Sequence, residues 1–319
     1  MMKKLTLEEG LDILKKGIAK AMMILDGYPT SALFTCEEYM KLYDCVYDMC
    51  VQRPPYDYGA ELYELFKKAL AESITSRVMP ALKDKRNVYL LNEVCNMWAR
   101  YKVMAKCLGG IFLYLDRHFV EKKKTDSFSD LSICCFHDMV FTELFPKILE
   151  AAISLINQDR DENSGCRDLL NNVSTLFVEI GNGKMHYYEN FETAVLTTTA
   201  NYYNQLVSHW LPHYSPVEYF TKAQHYCNQE KERASQFLNQ NSVEKLLQVV
   251  NELLLGQNAI KAVDSYQKLK AECSDGSIPY QGLGVQKKNF REAECNFIQT
   301  TRMCCVILST WEFKNMIDA

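Results

Sequence analysis

The sequence predicts an all-α protein, built as a helical bundle or a stacked helical array. Three observations carry this. Turn formers are scarce, with 13 glycines and 8 prolines among 319 residues. That is about half their usual combined share, and too few for the turn every 8–12 residues or so that a β-sandwich needs. Apolar residues recur at steps of three and four, the period of one helix face. Thr followed three residues later by Glu precedes two of these runs, a pairing in which each side chain satisfies an orphan amide of the other's turn.

The elements follow in order. Thr6 and Glu9 open a first helix, whose face is Leu11, Leu14, Ile18, Met22 and Leu25, and Gly27, Pro29 and Ser31 close it. Thr35 and Glu38 open a second, to about residue 51, where Pro54-Pro55 stop it because proline lacks the amide and clashes with the preceding turn. A third covers about 58–79, with Pro80 breaking or kinking it. A fourth at about 87–98 is divided by a weak boundary from a fifth at about 101–123. A sixth runs from about 131 to 159, with Pro146 as an internal kink. Asp159 to Gly165, charged and rich in turn formers, reads as a linker. Helices resume at about 166–180, with Gly181 as a left-handed cap, then at 187–210, 216–239 and 243–271. From Ser274 the texture changes and no long regular face follows.

A net charge of −4 argues against a nucleic-acid-binding domain, whose footprint is basic. No apolar run approaches the 18 or so residues of a membrane span, and no signal-peptide h-region forms, so neither a membrane nor a secretory route is expected. The 13 cysteines include no Cys-x-x-Cys pair. They read as free thiols of a reducing compartment, cytoplasmic or nuclear, with Cys45, Cys95 and Cys107 acting as small hydrophobes.

Fragments of chemistry are present and fail. Asp159-x-Asp161-x-Asn163 begins a calcium loop, but its sixth and twelfth positions are Ser164 and Leu170 instead of Gly and Glu. His209 and His213 have zinc-helix spacing, but Pro212 lies between them and no Glu follows His209. Cys134, Cys135 and His137 are too close along one helix to converge as a triad. Gly181-Asn182-Gly183-Lys184 lacks the length of a phosphate loop. The expectation is a protein without catalytic residues, cofactor or metal.

The helix from Thr35 carries a polar stripe (Glu37, Lys41, Asp44, Asp48) and two apolar ones: Tyr39, Leu42, Val46 and Met49; then Met40, Tyr43, Tyr47 and Cys50. A surface helix needs one apolar face. Two faces mean burial on both sides, or a core face plus a docking face rich in the Tyr and Met that favour interface cores. The helix at 101–123 poses the same question. Met104, Leu108, Ile111, Phe112, Leu115 and Phe119 make one face, Val103, Cys107 and Tyr114 add another, and the basic run Lys122-Lys123-Lys124 complements its dipole.

These residues carry a resemblance. Glu38-Tyr39-Met40-Lys41-Leu42-Tyr43-Asp44-Cys45-Val46-Tyr47-Asp48-Met49-Cys50 resembles the second helix of a cullin N-terminal region. Tyr114-Leu115-Asp116-Arg117-His118-Phe119-Val120 is similar to the pattern of the family's fifth helix. Val178-Glu179-Ile180-Gly181, Tyr187-Tyr188-Glu189, Phe191-Glu192, Tyr202-Tyr203 and Glu230-x-Glu232-Arg233 follow in order, and Gln52-Arg53-Pro54-Pro55-Tyr56-Asp57-Tyr58 resembles the plant version of the first cullin class. The likeness covers about residues 5–255.

The resemblance implies an elongated stalk of stacked five-helix cullin repeats, a right-handed helical array: a first repeat at 1–160, a partial second at 161–255 and a divergent tail at 256–319. It implies a scaffold of a ubiquitin ligase that binds a Skp-type, BTB-fold adaptor and, through it, a substrate receptor such as an F-box protein. The family docks its adaptor on helices two and five, which places Tyr39, Met40, Tyr43, Val46, Tyr47, Tyr114, His118 and Phe119 in the docking set. The C-terminal region that binds the RING-box subunit and is neddylated has no counterpart here, so a truncated, ligase-incompetent chain is expected, without a RING-box partner. The alternatives are a helical tethering or trafficking scaffold and a non-functional cullin-like product.

Overall fold

The computed structural model describes residues 5–52, 57–162 and 166–274, and every regular element among them is helical. The chain divides after Glu189 into two compact units; the expected division fell at 160/161.

The first unit opens with α1 (Leu7–Met22), whose Thr6 and Glu9 close the predicted capping box. It ends earlier than its apolar face suggests. Residues 23–27 turn instead, Gly27 adopts φ +97°, and Arg100 donates to the Leu25 carbonyl at 3.1 Å. A one-turn helix that the sequence did not announce, α2 (Thr30–Leu33), leads into α3 (Cys36–Val51), again with a complete capping box on Thr35 and Glu38. Pro54 and Pro55 lie outside the described residues.

Proline acts less abruptly than expected. α4 (Gly59–Ser73) passes through a π-helical turn, Ile74–Val78, into α5 (Met79–Leu82). The Met79 amide reaches back five residues to Ile74, and the wider turn accommodates Pro80 where its ring would otherwise press on the carbonyl four residues earlier.

α6 (Asn87–Ile111) runs unbroken for 25 residues through the expected boundary. Val94, Trp98, Tyr101, Met104, Leu108 and Ile111 are all buried along it, so the core stripe is continuous where local residue preferences suggested a gap. Beyond Phe112 the expected continuation fragments into α7 (Leu113–Leu115), a π-helical turn Asp116–Val120 and α8 (Glu121–Lys123), which ends on left-handed Lys124 at φ +54°. Next come α9 (Phe128–Phe136), a π-helical turn His137–Phe141 and α10 (Thr142–Glu162), which holds Pro146 internally.

The expected linker at Asp159 is mostly helix. Asp159 is buried and accepts a 3.0 Å bond from Arg167 Nε; residues 163–165 lie outside the described set. In α11 (Arg167–Gly181) Gly181 is the last helical residue, and the left-handed position is Asn182 at φ +46°. Asparagine tolerates that conformation better than other side chains.

α6 is the axis of this unit, with α1, α3, α9, α10 and α11 packed around it. Phe66, Phe112 and Phe128 form one aromatic cluster, in which Phe66 stacks on Phe128 at 3.9 Å. Trp98, Tyr101 and Phe136 form another. α1 meets α3 through glycines. A Cβ on Gly17 would lie 2.7 Å from both Leu42 δ-carbons, and one on Gly10 would overlap the Met49 thioether.

The second unit holds α12 (Tyr187–Trp210) from Asn190 onward, α13 (Pro216–Ala234), α14 (Gln240–Leu255) and α15 (Gln257–Ser274). The helix expected over 216–239 stops at Ala234, because Asn239 Oδ1 accepts the Ser242 amide at 2.8 Å and starts α14. The helix expected over 243–271 is two, divided at Gly256. α15 packs on α13 and α14, so the expected tail at 256–319 is ordered helix through Ser274; the remainder lies outside the described residues. Inside this unit Glu230 and Arg233 form a buried ion pair, and the Tyr203 hydroxyl donates to Glu230 at 3.0 Å.

The glycine contact gives a sign test. Gly→Ala inside a helix ordinarily stabilises by about 0.5–1 kcal/mol. That gain is expected for Gly109→Ala in α6, where a methyl meets nothing within 4 Å. Gly10→Ala should instead destabilise by about 1–3 kcal/mol, because its methyl would overlap the thioether of fully buried Met49 and force it to repack. Urea unfolding of both variants reads the two signs.

Candidate interaction surface

α3 is fixed at its start by charge and at its flank by a tyrosine. The Thr35 amide donates to Glu38 at 3.0 Å, the Glu38 amide donates to Thr35 Oγ1 at 3.1 Å, and Lys20 from α1 bonds the same carboxylate at 3.0 Å. The Thr35 amide first, then Lys20, hold the Glu38 carboxyl below its ordinary range. Phe34, just before the cap, packs edge-on against Tyr39 at 6.0 Å, the staple that sets the entry angle of a helix. Lys20 Nζ lies 5.2 Å from the Phe34 ring centroid.

Tyr39 does not stand in the exposed stripe. Its ring crosses to α6 and its hydroxyl donates to the Cys107 carbonyl at 2.9 Å. It sits over Gly110, where any Cβ would overlap the phenol oxygen. Burial, with a smaller contribution from the Cys107 thiol, pushes the phenol up to about 12.

The remaining residues of the expected docking set divide into three positions. Val46 is 0% exposed and belongs wholly to the core with Leu42, Cys45 and Met49, which corrects its place in the expected set. Phe119 turns the other way. Its ring lies against Tyr63 at 5.9 Å and over Gly59 of α4, where a Cβ would come within 2.7 Å of it. Met40 and Tyr47 are 51% and 41% exposed, and Tyr43 is half-buried between them along the same arc.

Tyr47 meets Tyr114 edge-on at 4.8 Å, and Tyr114 in turn lies 4.3 Å from the His118 ring. Burial raises the Tyr114 phenol first, and the Tyr47, Cys50 and Tyr43 groups add to that shift, so Tyr43 and Cys50 belong to the same neighbourhood. The structure thus brings together Met40, Tyr43, Tyr47, Tyr114 and His118. It does so because the helix break at Phe112 and the π-helical turn re-aim the chain, delivering Tyr114 and His118 to α3 while Phe119 goes to α4.

Sequence reasoning missed two parts of this surface. Val51, 44% exposed, extends the stripe by one more step of four from Tyr47. At the other end Thr30, Ser31, Phe34, Cys36, Tyr39 and Met40 line a shallow groove of about 340 Å³. The staple position of Phe34 was the signal available for it.

His137 bonds Asp138 and Tyr187, each at 2.6 Å, while the Cys135 thiol lies against Met139 sulfur and burial pushes it up to about 11. His209 and His213 are exposed, with His213 Nδ1 2.8 Å from the His209 carbonyl. Among the described residues no group of three or more His, Cys, Asp or Glu could hold a metal ion, and no helix is long and apolar enough to cross a membrane.

The family model of the cullin alpha solenoid domain matches residues 13–276. The chain belongs to the cullin family. The match runs past residue 255, where the sequence likeness was expected to fade, and takes in α15 of this cullin chain. It is 40% identical to Cullin-1 of Oryza sativa subsp. japonica over 82% of its own length, and spans about a third (35%) of that relative. It is 35% identical to Putative cullin-like protein 2 of Arabidopsis thaliana, over 79% of this chain and 68% of the relative. Cullin-like protein 3 of the same plant is 29% identical over 74% of this chain and 91% of its own length. The all-α architecture is that of a cullin solenoid domain.

In this cullin the seat of Tyr39 carries its own expectation. Tyr39→Phe removes one hydrogen bond and should cost about 0.5–1.5 kcal/mol at neutral pH. An ordinary phenol ionises near 10 and this one near 12. The raised folded value means that the folded chain keeps the proton longer, so the contribution is complete below pH 10 and fades toward pH 12. The stability gap between wild type and Tyr39→Phe, followed by urea unfolding from pH 8 to 11.5, should therefore narrow above pH 10.

Proposed function

We propose that this cullin chain is a scaffold subunit of a ubiquitin ligase complex acting in ubiquitin-dependent protein catabolism, in the cytoplasm, the nucleus or both. Its partner on the first unit is a Skp-type adaptor of the BTB fold, which brings a substrate receptor such as an F-box protein. One observation carries the reading. Met40, Tyr43 and Tyr47 of α3, with Tyr114 and His118 brought against them from α7 and the π-helical turn, form a partly exposed aromatic and thioether surface. Tyrosine and methionine are the residue types that favour interface cores.

In this reading the docking set is narrower than the expected one. Met40, Tyr43, Tyr47, Tyr114 and His118 serve as contact residues. Tyr39 serves as the support behind them, Val46 serves the core, and Phe119 packs partly buried on α4. The chain's own part is to present a preorganised face, which reduces the ordering cost that binding would otherwise carry.

Affinity for a purified Skp-type adaptor, by biosensor or calorimetry, tests this. Tyr43→Ala with Tyr47→Ala should weaken binding roughly 30-fold or more, as expected when interface anchors worth about 2 kcal/mol are truncated. Val46→Ala should cost about 2 kcal/mol of folding stability while leaving the affinity of the folded chain unchanged. Undiminished binding by the double variant would overturn the assignment.

A further inference from the structure

The acidic residues of α3 are not equivalent. Glu37 is paired with Lys41 at 2.7 Å and Glu38 with Lys20 at 3.0 Å. Asp44 and Asp48 are exposed and have no cationic partner among the described residues. They stand four apart on one helix face, where like charges repel and weaken the helix slightly. No ion pair among the described residues offsets that cost.

Their positions border the aromatic stripe. Asp44 is four residues after Met40 and three before Tyr47, and Asp48 is three before Val51, so each lies beside an exposed apolar side chain. Tyr114 and His118 make the opposite border, against Tyr47. The face is therefore apolar along its middle and acidic along one edge.

We infer that the partner meets this face with an apolar patch bordered by lysine or arginine side chains opposite Asp44 and Asp48, and that this pairing sets the rate of encounter. The inference rests on the reading of α3 as the docking helix. Charges at the edge of an interface act mainly on association, by steering, whereas buried anchors act mainly on dissociation. Steering between exposed charges weakens as salt shortens the screening length, from about 10 Å at 0.1 M to about 3 Å at 1 M.

The test measures association and dissociation rates of the full chain on an immobilised Skp-type adaptor at 50 and 300 mM NaCl. Wild type should associate several-fold faster at low salt. Asp44→Asn with Asp48→Asn should associate about three- to tenfold more slowly at 50 mM, lose most of the salt dependence and keep its dissociation rate. Its thermal midpoint should not fall, since a like-charge pair has been removed. Tyr43→Ala with Tyr47→Ala should instead dissociate faster and retain the salt dependence.

An Asn variant that matches wild type in rate and salt slope, or associates faster, overturns the acidic edge while leaving the docking helix standing. Unchanged dissociation of the tyrosine variant, or no binding by wild type, overturns the docking reading and this inference with it. Self-association of wild type by sedimentation, lost in the Asn variant, would assign the edge to a second copy of the chain and overturn it equally.

Discussion

The outer face of α3 depends on how its inner face is held, and the decisive contact is the Tyr39 hydroxyl on the Cys107 carbonyl over Gly110. Here the ring spans the gap to α6 because that helix offers the Cys107 carbonyl as an acceptor and no Cβ at Gly110. With Leu42 and Met49 packed on the glycines of α1 and Glu38 locked between Thr35 and Lys20, α3 is fixed against α1 and α6 along its length. Its rotation is then set. Val46 must point inward, and Met40, Tyr43, Tyr47 and Val51 are left on the outer arc.

A second constraint acts from the other side. The backbone after α6 does not continue as regular helix, and the short α7 with the π-helical turn behind it sends alternate aromatic residues to different places. Tyr114 and His118 join α3, and Phe119 closes over α4. A π-helical turn inserts an extra residue and rotates the helix beyond it. Here that rotation lets one short segment serve the surface and the core together.

Much of this was legible in the sequence. Capping boxes at Thr6 and Thr35 placed both helix starts, because that signal is local and chemical. The two-faced character of α3 was visible from its spacing. Which member of each stripe is buried was not, because Tyr39 and Val46 differ from Met40 and Tyr47 only through glycines and carbonyls distant in the chain. The expected helix breaks failed for a related reason. Pro80 is absorbed by a widened turn, and the suspected gap near residue 100 is bridged by a continuous buried stripe. Glu230 shows the converse. It follows Tyr219, Ala223 and Cys227 at the spacing of a buried face and stands three before Arg233, its ion-pair partner, but its bond from Tyr203 appears only in the fold.

The central claim is that one arc of α3 meets a partner while the opposite arc holds the fold. Hydroxyl-radical footprinting of the full chain, free and with a saturating Skp-type adaptor, reads both arcs in one experiment. The account predicts that Met40 and Tyr47 lose most of their oxidation in the complex, whereas Tyr89 and Met185, 77% and 46% exposed, keep theirs. Unchanged oxidation of Met40 and Tyr47 with the adaptor bound would contradict it.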